Sequence, residues 1–139
     1  MQVFIISSPL ETAKTLSPKH LNNQINEVKI ILDALYGAKA WSNHPVVLQY
    51  RGYEYWLAMY MKTLHYYAVG IELVNDANEE ALKCTPPFHT EEFFNQMKRR
   101  LYTKNPQHYS QWSYLGESQE NWYFVDGVMR KYINGKRIE

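Results

Sequence analysis

The chain has 139 residues, 45% of them hydrophobic and 15% aromatic, which is enough to bury a core in the single domain that this length predicts for residues 1–139. No stretch approaches the roughly 18 apolar residues of a membrane span. The start lacks the basic leader and cleavage site of a secretory signal, so we expect a cytoplasmic protein without a membrane partner. The net charge of +1 gives no global field that would attract nucleic acid.

The first part of the chain predicts an extended segment followed by two helices. Residues 2–6 are apolar and β-branched, which favours a buried extended segment. Ser8-Pro9 and Ser17-Pro18 each combine a capping serine with a proline at the first helical position. We therefore expect a short helix to about residue 16 and a longer one over 18–36. The longer one has an apolar stripe at helical spacing, formed by Leu21, Ile25, Val28, Leu32 and Leu35.

The middle of the chain predicts a loop and two further helices. Residues 38–45 have the composition of a loop, and apolar residues at helical spacing predict a long central helix over 52–74. Thr90 is a plausible cap for a helix that continues to about residue 102. Asn105-Pro106 would end that helix.

The C-terminus predicts antiparallel strands. Asp126-Gly127 and Asn134-Gly135 are strong signals for tight hairpin turns. Strands over 122–125, 128–133 and 136–139 would form a small ribbon around these turns. The sequence as a whole therefore predicts a mainly α, compact helical domain with an extended N-terminal segment and a small C-terminal β-hairpin or ribbon.

No pattern indicates a cofactor or a metal site. The chain has no phosphate loop, dinucleotide-binding glycine pattern or hydrolase elbow. None of the five histidines is paired with another ligand at metal-binding spacing. We therefore expect neither a cofactor nor a metal.

A polar stripe runs along the helix predicted over 18–36. His20, Gln24 and Glu27 stand at positions i, i+4 and i+7, at the margin of the apolar stripe. A glutamate at such a margin can act as an acid or base if burial raises its pKa. The alternative is an ordinary solvated helix flank.

The chain start and the aromatic residues carry two further hypotheses. An apolar segment beginning at residue 2 would hold the N-terminal amine against the fold. Such an amine is a weaker base than a lysine amine, so it is a ready Schiff-base nucleophile. The alternative is a strand that simply ends at the surface. Trp122 and Tyr123, beside a basic ribbon, are the best candidates for stacking on bases.

Several short segments resemble the pyrimidine-dimer DNA glycosylase family, also called endonuclease V-like, and especially its bacterial relatives. These segments are Met1-Gln2-Val3-Phe4, Leu21 with Gln24 and Glu27, and residues 31–35, 41–45, 51–54 and 104–109. Two others resemble the phage members of the family, namely His20-Leu21 leading to Glu27, and Trp122-Tyr123. Together these segments span most of the chain.

The resemblance implies a helical protein that removes a damaged base from DNA. In the family an N-terminal amine attacks C1′ of the damaged nucleotide, the base leaves, an imine forms and β-elimination nicks the strand. Glu27 matches the assisting glutamate by position, and His20 matches a histidine of the same helix. Because Gln2 is bulky, we expect Met1 to be retained and its own amine to be the nucleophile. Asn26 and Ile30 stand where phage members have basic residues.

The leading hypothesis is therefore a DNA glycosylase with abasic-site lyase activity, acting on damaged duplex DNA without a cofactor. Met1 and Glu27 would be catalytic. The residues expected to bind substrate are His20, Gln24, His44, Arg51, Lys98, Arg100, Trp122 and Tyr123. A non-catalytic nucleic-acid-binding protein and a phage-type protein-interaction module are the alternatives, and the second agrees with the low net charge.

Overall fold

The computed structural model describes residues 1–138, and within them the fold is mainly α, as predicted. The helices are α1 (Pro9–Thr15), α2 (Pro18–Leu35), α3 (Pro45–Tyr50), α4 (Glu54–Val69), α5 (Val74–Leu82) and α6 (Glu91–Lys104). A short 3₁₀ helix (Ser110–Leu115) precedes the strands β1 (Asn121–Val125), β2 (Val128–Ile133) and β3 (Lys136–Ile138). The last residue of the predicted third strand, Glu139, lies outside the described residues.

The predicted helix starts are confirmed by side-chain caps. The hydroxyl of Ser8 accepts the N–H of Glu11 at 3.1 Å, and that of Ser17 accepts the N–H of His20 at 3.2 Å. Thr90 caps α6 in the same way. Each cap satisfies a backbone donor that has no partner within its own helix.

The predicted long helix over 52–74 is wrong at its end, because the chain makes two helices there. Gly70 takes a left-handed conformation, with φ of 76°, and ends α4. The chain then reverses into α5, which the sequence reading did not predict. Tyr67 and Ile71, which belong to the apolar residues at helical spacing within 52–74, are about 40% exposed because they lie at or beyond this end.

Two other short helices were also missed. Pro45, where α3 begins, was assigned to the predicted loop over 38–45, and residues 46–50 were left unassigned, although His44 and Pro45 make a start signal for this helix. The 3₁₀ helix has only six residues and no side-chain cap. Periodicity is a weak guide over such short segments.

The C-terminal strands form an antiparallel sheet in the order β1-β2-β3. Both central residues of each turn have positive φ, between 51° and 78°, at Asp126-Gly127 and Asn134-Gly135. This geometry matches the right-handed twist of the strands. The predicted ribbon is therefore confirmed with nearly the predicted bounds.

Helix α4 lies at the centre of the fold. It packs against α1, α2 and α5, and its Trp56, Leu57 and Tyr60 are buried. The sheet packs through β1 onto α3 and α6. This arrangement brings the C-terminal sheet and α6 towards the start of the chain. No helix within residues 1–138 is long and apolar enough to cross a membrane.

Candidate active site

The first residues of the chain are held by one buried side chain of α2. Gln24 is 1% exposed, and its Oε1 accepts the N–H of Phe4 at 2.5 Å. Its Nε2 donates to the carbonyl oxygen of Gln2 at 3.0 Å. The carboxamide thus bonds the backbone of two residues on one side of the segment, as a neighbouring strand would. The hydroxyl of Tyr60 donates to the same Oε1 at 2.9 Å.

The C-terminal sheet holds the first residue itself. The Tyr123 hydroxyl donates to the carbonyl oxygen of Met1 at 2.8 Å. Tyr123 is only 3% exposed, and its burial raises the pKa of the phenol. The hydroxyl therefore stays protonated and remains a donor. The N-terminus is consequently fixed between α2 and β1, whereas chain ends are usually frayed.

Glu27 lies one turn after Gln24, beside this fixed N-terminus. Burial raises the pKa of its carboxyl. The positive N-terminus, the Gln2 backbone N–H and Lys104 act in the opposite direction without cancelling the shift. Glu27 is thus a carboxyl that holds its proton more tightly than usual, next to a primary amine.

Two neighbouring cavities open around Glu27. The larger has a volume of about 290 Å³ and is lined by Phe4, Lys19, His20, Asn23, Gln24, Glu27 and Lys104. The smaller, of about 90 Å³, is lined by Met1, Gln2, Phe4, Glu27, Arg100, Lys104 and Asn121. Phe4, Glu27 and Lys104 border both cavities, so the two adjoin, and we call them together the cleft.

Part of this cleft lies in a segment of the chain that matches a known family. The family model described as pyrimidine dimer DNA glycosylase matches residues 1–69. By this match the chain belongs to the pyrimidine dimer DNA glycosylase family. Among curated proteins and solved structures, no significant match is found. A glycosylase family acts on DNA, so membership implies DNA as the partner.

The glycosylase match covers only one wall of the cleft. Met1, His20 and Glu27 lie within residues 1–69. Arg100 and Lys104 on α6 come from the unmatched part of the chain and line the smaller cavity together with Met1 and Glu27. The cleft of this glycosylase family member is therefore built from both parts of the chain.

Arg100 and Lys104 border the cleft in different ways. The Arg100 guanidinium is fixed, since its Nε donates to Asn121 Oδ1 at 3.0 Å and its Nη1 to the Ser118 carbonyl oxygen at 2.9 Å. Burial lowers the pKa of Arg100. The Lys104 ammonium lies 5.8 Å from the centre of the Phe4 ring. Because Lys104 borders both cavities, its charge reaches both parts of the cleft.

His44 lies at the same end of the molecule. It caps α3, since its Nδ1 accepts the Val46 N–H at 3.1 Å. Its ring packs edge-on against Tyr123, with centroids 5.7 Å apart. Burial first, and then the charged N-terminus, lower the pKa of His44 to about 4. The side chain is therefore a neutral acceptor used by the backbone at neutral pH.

Other residues expected to bind substrate lie away from the cleft or are otherwise engaged. Gln24 and Tyr123 hold the N-terminal backbone, and the buried Tyr123 ring offers no face for stacking. Lys98 borders a different depression and lies 5.9 Å from the Trp112 ring centre. Arg51 is exposed beyond α3 and lines neither cavity of the cleft.

Trp122, on strand β1, is half-buried. Its Nε1 donates to Glu120 Oε2 at 3.2 Å, and the Lys131 ammonium lies 5.0 Å from its ring centre. Trp41 is more open, at 53% exposed, and its ring lies 5.9 Å from that of His44. Trp41 has a φ of 66°, which is unusual for a bulky residue.

Several cleft residues were not predicted as site residues. Phe4, Lys19, Asn23, Lys104 and Asn121 line the cleft. Lys104 stands in a basic cluster, but no pattern in the sequence indicates that α6 reaches residue 4. The Gln2 side chain also lies here. It is 3% exposed, and its carboxamide has no hydrogen-bond partner among residues 1–138.

The described residues offer no ligand set for a metal. Within residues 1–138 no group of three or more His, Cys, Asp or Glu side chains is arranged to hold an ion. The smaller cavity of the cleft combines a primary amine, a carboxyl with a raised pKa and two cations. These groups suit nucleophilic attack by nitrogen, proton transfer and the binding of a phosphate-bearing substrate.

Proposed function

We propose that the protein is a DNA glycosylase with abasic-site lyase activity, in which the Met1 amine is the nucleophile and Glu27 the acid or base. The observation that carries the proposal is that the N-terminus and Glu27 border the same small cavity. The N-terminal charge also acts directly on the Glu27 carboxyl. Membership of a pyrimidine dimer DNA glycosylase family supports the same chemistry.

The chemistry follows from these groups. The neutral amine of Met1 attacks C1′ of the damaged nucleotide, and the base leaves with the electrons of its bond to C1′. Glu27 takes a proton from the attacking nitrogen and delivers it to the ring oxygen as the sugar opens to an imine. Loss of a proton from C2′ then expels the 3′ phosphate and nicks the strand.

The position of the cations supports a role in holding the DNA backbone. Arg100 is oriented by two hydrogen bonds, so little side-chain entropy is lost when it contacts a phosphate. Lys104 is placed between the two cavities, next to Phe4. Phosphates on either side of a nucleotide bound at Met1 would lie within the field of these two charges.

Stacking on bases is better supported for tryptophans than for Tyr123. Trp41 exposes about half of its surface, and its ring contacts the ring of His44. Trp122 has a cation over its ring, which leaves less of it open. A damaged nucleotide drawn out of the duplex leaves a gap that an exposed aromatic ring can fill.

Borohydride trapping on a duplex with one abasic site tests the proposal. Mass spectrometry first verifies that Met1 is present with a free amine. We expect a covalent adduct with the unaltered protein and none after chemical blocking of the N-terminus. The Glu27→Gln variant should fold normally and trap far more slowly.

The opposite results would identify a different function. No adduct with a verified free amine would overturn the lyase mechanism. Salt-sensitive binding to the same duplex would then indicate a non-catalytic DNA-binding protein. No binding at any salt concentration would favour a protein-interaction module.

A further inference from the structure

His20, at the edge of the larger cavity, is hydrogen-bonded to a buried tyrosine far along the chain. Its Nδ1 lies 2.7 Å from the hydroxyl oxygen of Tyr109, and the two rings are parallel within 1°. The same hydroxyl accepts the backbone N–H of Ser17 at 3.0 Å. Tyr109 therefore bridges the cap of α2 and the single histidine of that helix.

The direction of these bonds determines where the imidazole carries its hydrogen. A backbone N–H can only donate, so the Tyr109 oxygen is the acceptor towards Ser17. Tyr109 is fully buried, and a buried hydroxyl hydrogen without an acceptor is costly. His20 Nδ1, at 2.7 Å, is a close acceptor for this hydrogen, and the Ser17 side chain also contacts the hydroxyl. Donation along this short contact leaves Nδ1 unprotonated and puts the hydrogen of a neutral imidazole on Nε2.

The charges around His20 favour the same neutral form. Burial first, then Lys104, Lys19 and His108, lower the pKa of His20. Protonation would in addition take away the acceptor of the Tyr109 hydroxyl. The carboxyl that shares the cavity, Glu27, itself holds its proton more tightly than usual. These effects favour the neutral form of the His20 imidazole, which carries one N–H donor.

We propose that Tyr109 is a positioning residue that holds His20 as the Nε2–H tautomer, and that His20 donates this hydrogen bond to a carbonyl oxygen of the base that leaves. The inference rests on the proposed glycosylase function. The hydrogen stays on His20, and the bond strengthens as the departing base gains negative charge.

The geometry favours a base carbonyl over a phosphate as the acceptor. The cavity already contains Lys19 and Lys104 as cations for phosphate. It also contains the Phe4 ring as an apolar surface, which suits the flat face of a base. A neutral donor aimed at an oxygen that becomes negative only in the transition state contributes to rate more than to ground-state binding.

The test compares Tyr109→Phe with the unaltered protein on two duplexes. One duplex carries a single cis-syn thymine dimer and the other a single abasic site, which has no base to accept a hydrogen bond. We expect the ratio of dimer excision to abasic-site cleavage to fall about tenfold in the variant, the effect of losing one aligned donor. Tyr114→Phe, at an exposed tyrosine, is the matched control and should keep the ratio.

The pH dependence gives a readout that a purely structural role would not move. In Tyr109→Phe the Nδ1 atom is free to bind a proton, so the acid limb of dimer excision should shift to higher pH. An unchanged acid limb, or equal loss on both duplexes, would overturn the donor role of His20. Thermal unfolding of both variants separates these results from a loss of folded protein.

Nitrogen-15 NMR of the histidine side chains tests the tautomer without any reaction. We expect His20 at pH 7 to show a protonated Nε2 and an unprotonated Nδ1, and Tyr109→Phe to show a mixture of forms. A protonated Nδ1 in the unaltered protein would refute the part played by Tyr109. If the unaltered protein neither traps nor excises, the proposed function fails and the donor role with it, while the NMR result still decides the tautomer.

Discussion

The hydroxyl of Tyr123 donates a hydrogen bond of 2.8 Å to the carbonyl oxygen of Met1. This contact joins residues 122 positions apart and fixes the N-terminus at the cleft. Tyr123→Phe removes the bond while keeping the buried ring. We expect a loss of about 1 kcal/mol in the free energy of unfolding and a several-fold slower trapping of abasic DNA. Urea unfolding and borohydride trapping measure the two effects.

The control for Tyr123→Phe is Tyr132→Phe, on the neighbouring strand. The rings of Tyr132 and Tyr123 are in contact, whereas the hydrogen bond to the Met1 carbonyl oxygen comes from Tyr123. Equal effects of the two substitutions on trapping would show that the bond to Met1 does not position the amine.

Gln24 is the main link between α2 and the N-terminal segment. Gln24→Leu leaves the Phe4 N–H, the Gln2 carbonyl and the Tyr60 hydroxyl without their partner. We expect the free energy of unfolding to fall by about 2–4 kcal/mol, since several buried polar groups lose bonds together. Asn26→Leu, the same kind of change at an exposed position of α2, should change it by less than about 0.5 kcal/mol. Similar losses in both variants would contradict the role of Gln24.

The raised pKa of Glu27 makes its ionisation unfavourable to folding. The folded state binds this proton more tightly than the unfolded chain does, so the associated stability is present at acid pH and is lost as pH rises through the raised pKa. Glu27→Gln should therefore raise the melting temperature at pH 7 by about 1–3 °C. The gain should vanish below about pH 4, where the native glutamate is protonated. Calorimetry between pH 4 and pH 7 measures the difference in melting temperature between Glu27→Gln and the unaltered protein, with Glu72→Gln at an exposed position as the control. A difference that stays constant with pH would contradict the prediction.

His44 has the opposite linkage. Its pKa is lowered to about 4, so its contribution to stability is present above pH 6.5 and is lost as pH falls towards 4. Asparagine is a good helix cap without a titrating group. His44→Asn should therefore flatten the fall in unfolding free energy between pH 6.5 and 4, measured in urea. His65→Asn, at an exposed histidine, is the control and should keep the dependence of unfolding free energy on pH. The same pH dependence in His44→Asn as in the unaltered protein would refute this linkage.

The exposed ring of Trp41 gives a prediction about DNA binding. Trp41→Ala should weaken binding to a duplex with one abasic site by about tenfold at fixed salt. This is near the lower end of the affinity losses that follow removal of one aromatic ring stacked on a base. Trp122→Ala should have a smaller effect, because Lys131 covers part of its ring. Fluorescence anisotropy of labelled DNA measures both, with Tyr114→Ala as control. An unchanged affinity in the Trp41 variant would remove it from the interface.

Local signals in the sequence were sufficient for the elements that depend on local chemistry. Serine caps followed by proline indicated α1 and α2, and Asp-Gly and Asn-Gly pairs indicated the hairpins. The end of α4 was misplaced because apolar spacing continued past Gly70. The stripe of His20, Gln24 and Glu27 was identified from helical geometry, but its members point to different partners.

The rest of the cleft depends on contacts between distant parts of the chain. Tyr109 and Tyr123 lie about 90 and 120 positions from the atoms that they bond. Lys104 approaches Phe4 only because α6 packs near the N-terminal segment. No periodicity or motif within one sequence encodes such distances, so these contacts appear only once the fold is known.

The bond between Tyr123 and Met1 also imposes an order of events during synthesis. Residue 1 leaves the ribosome first, but its anchor is translated only after most of the chain has emerged. A partly made protein can hold the reactive amine near α2, through Gln24, yet lacks the strand that secures it and the helix that brings Lys104 and Arg100. Strand cleavage by the proposed chemistry therefore becomes efficient only after β1 and α6 have been translated and have packed against the start of the chain.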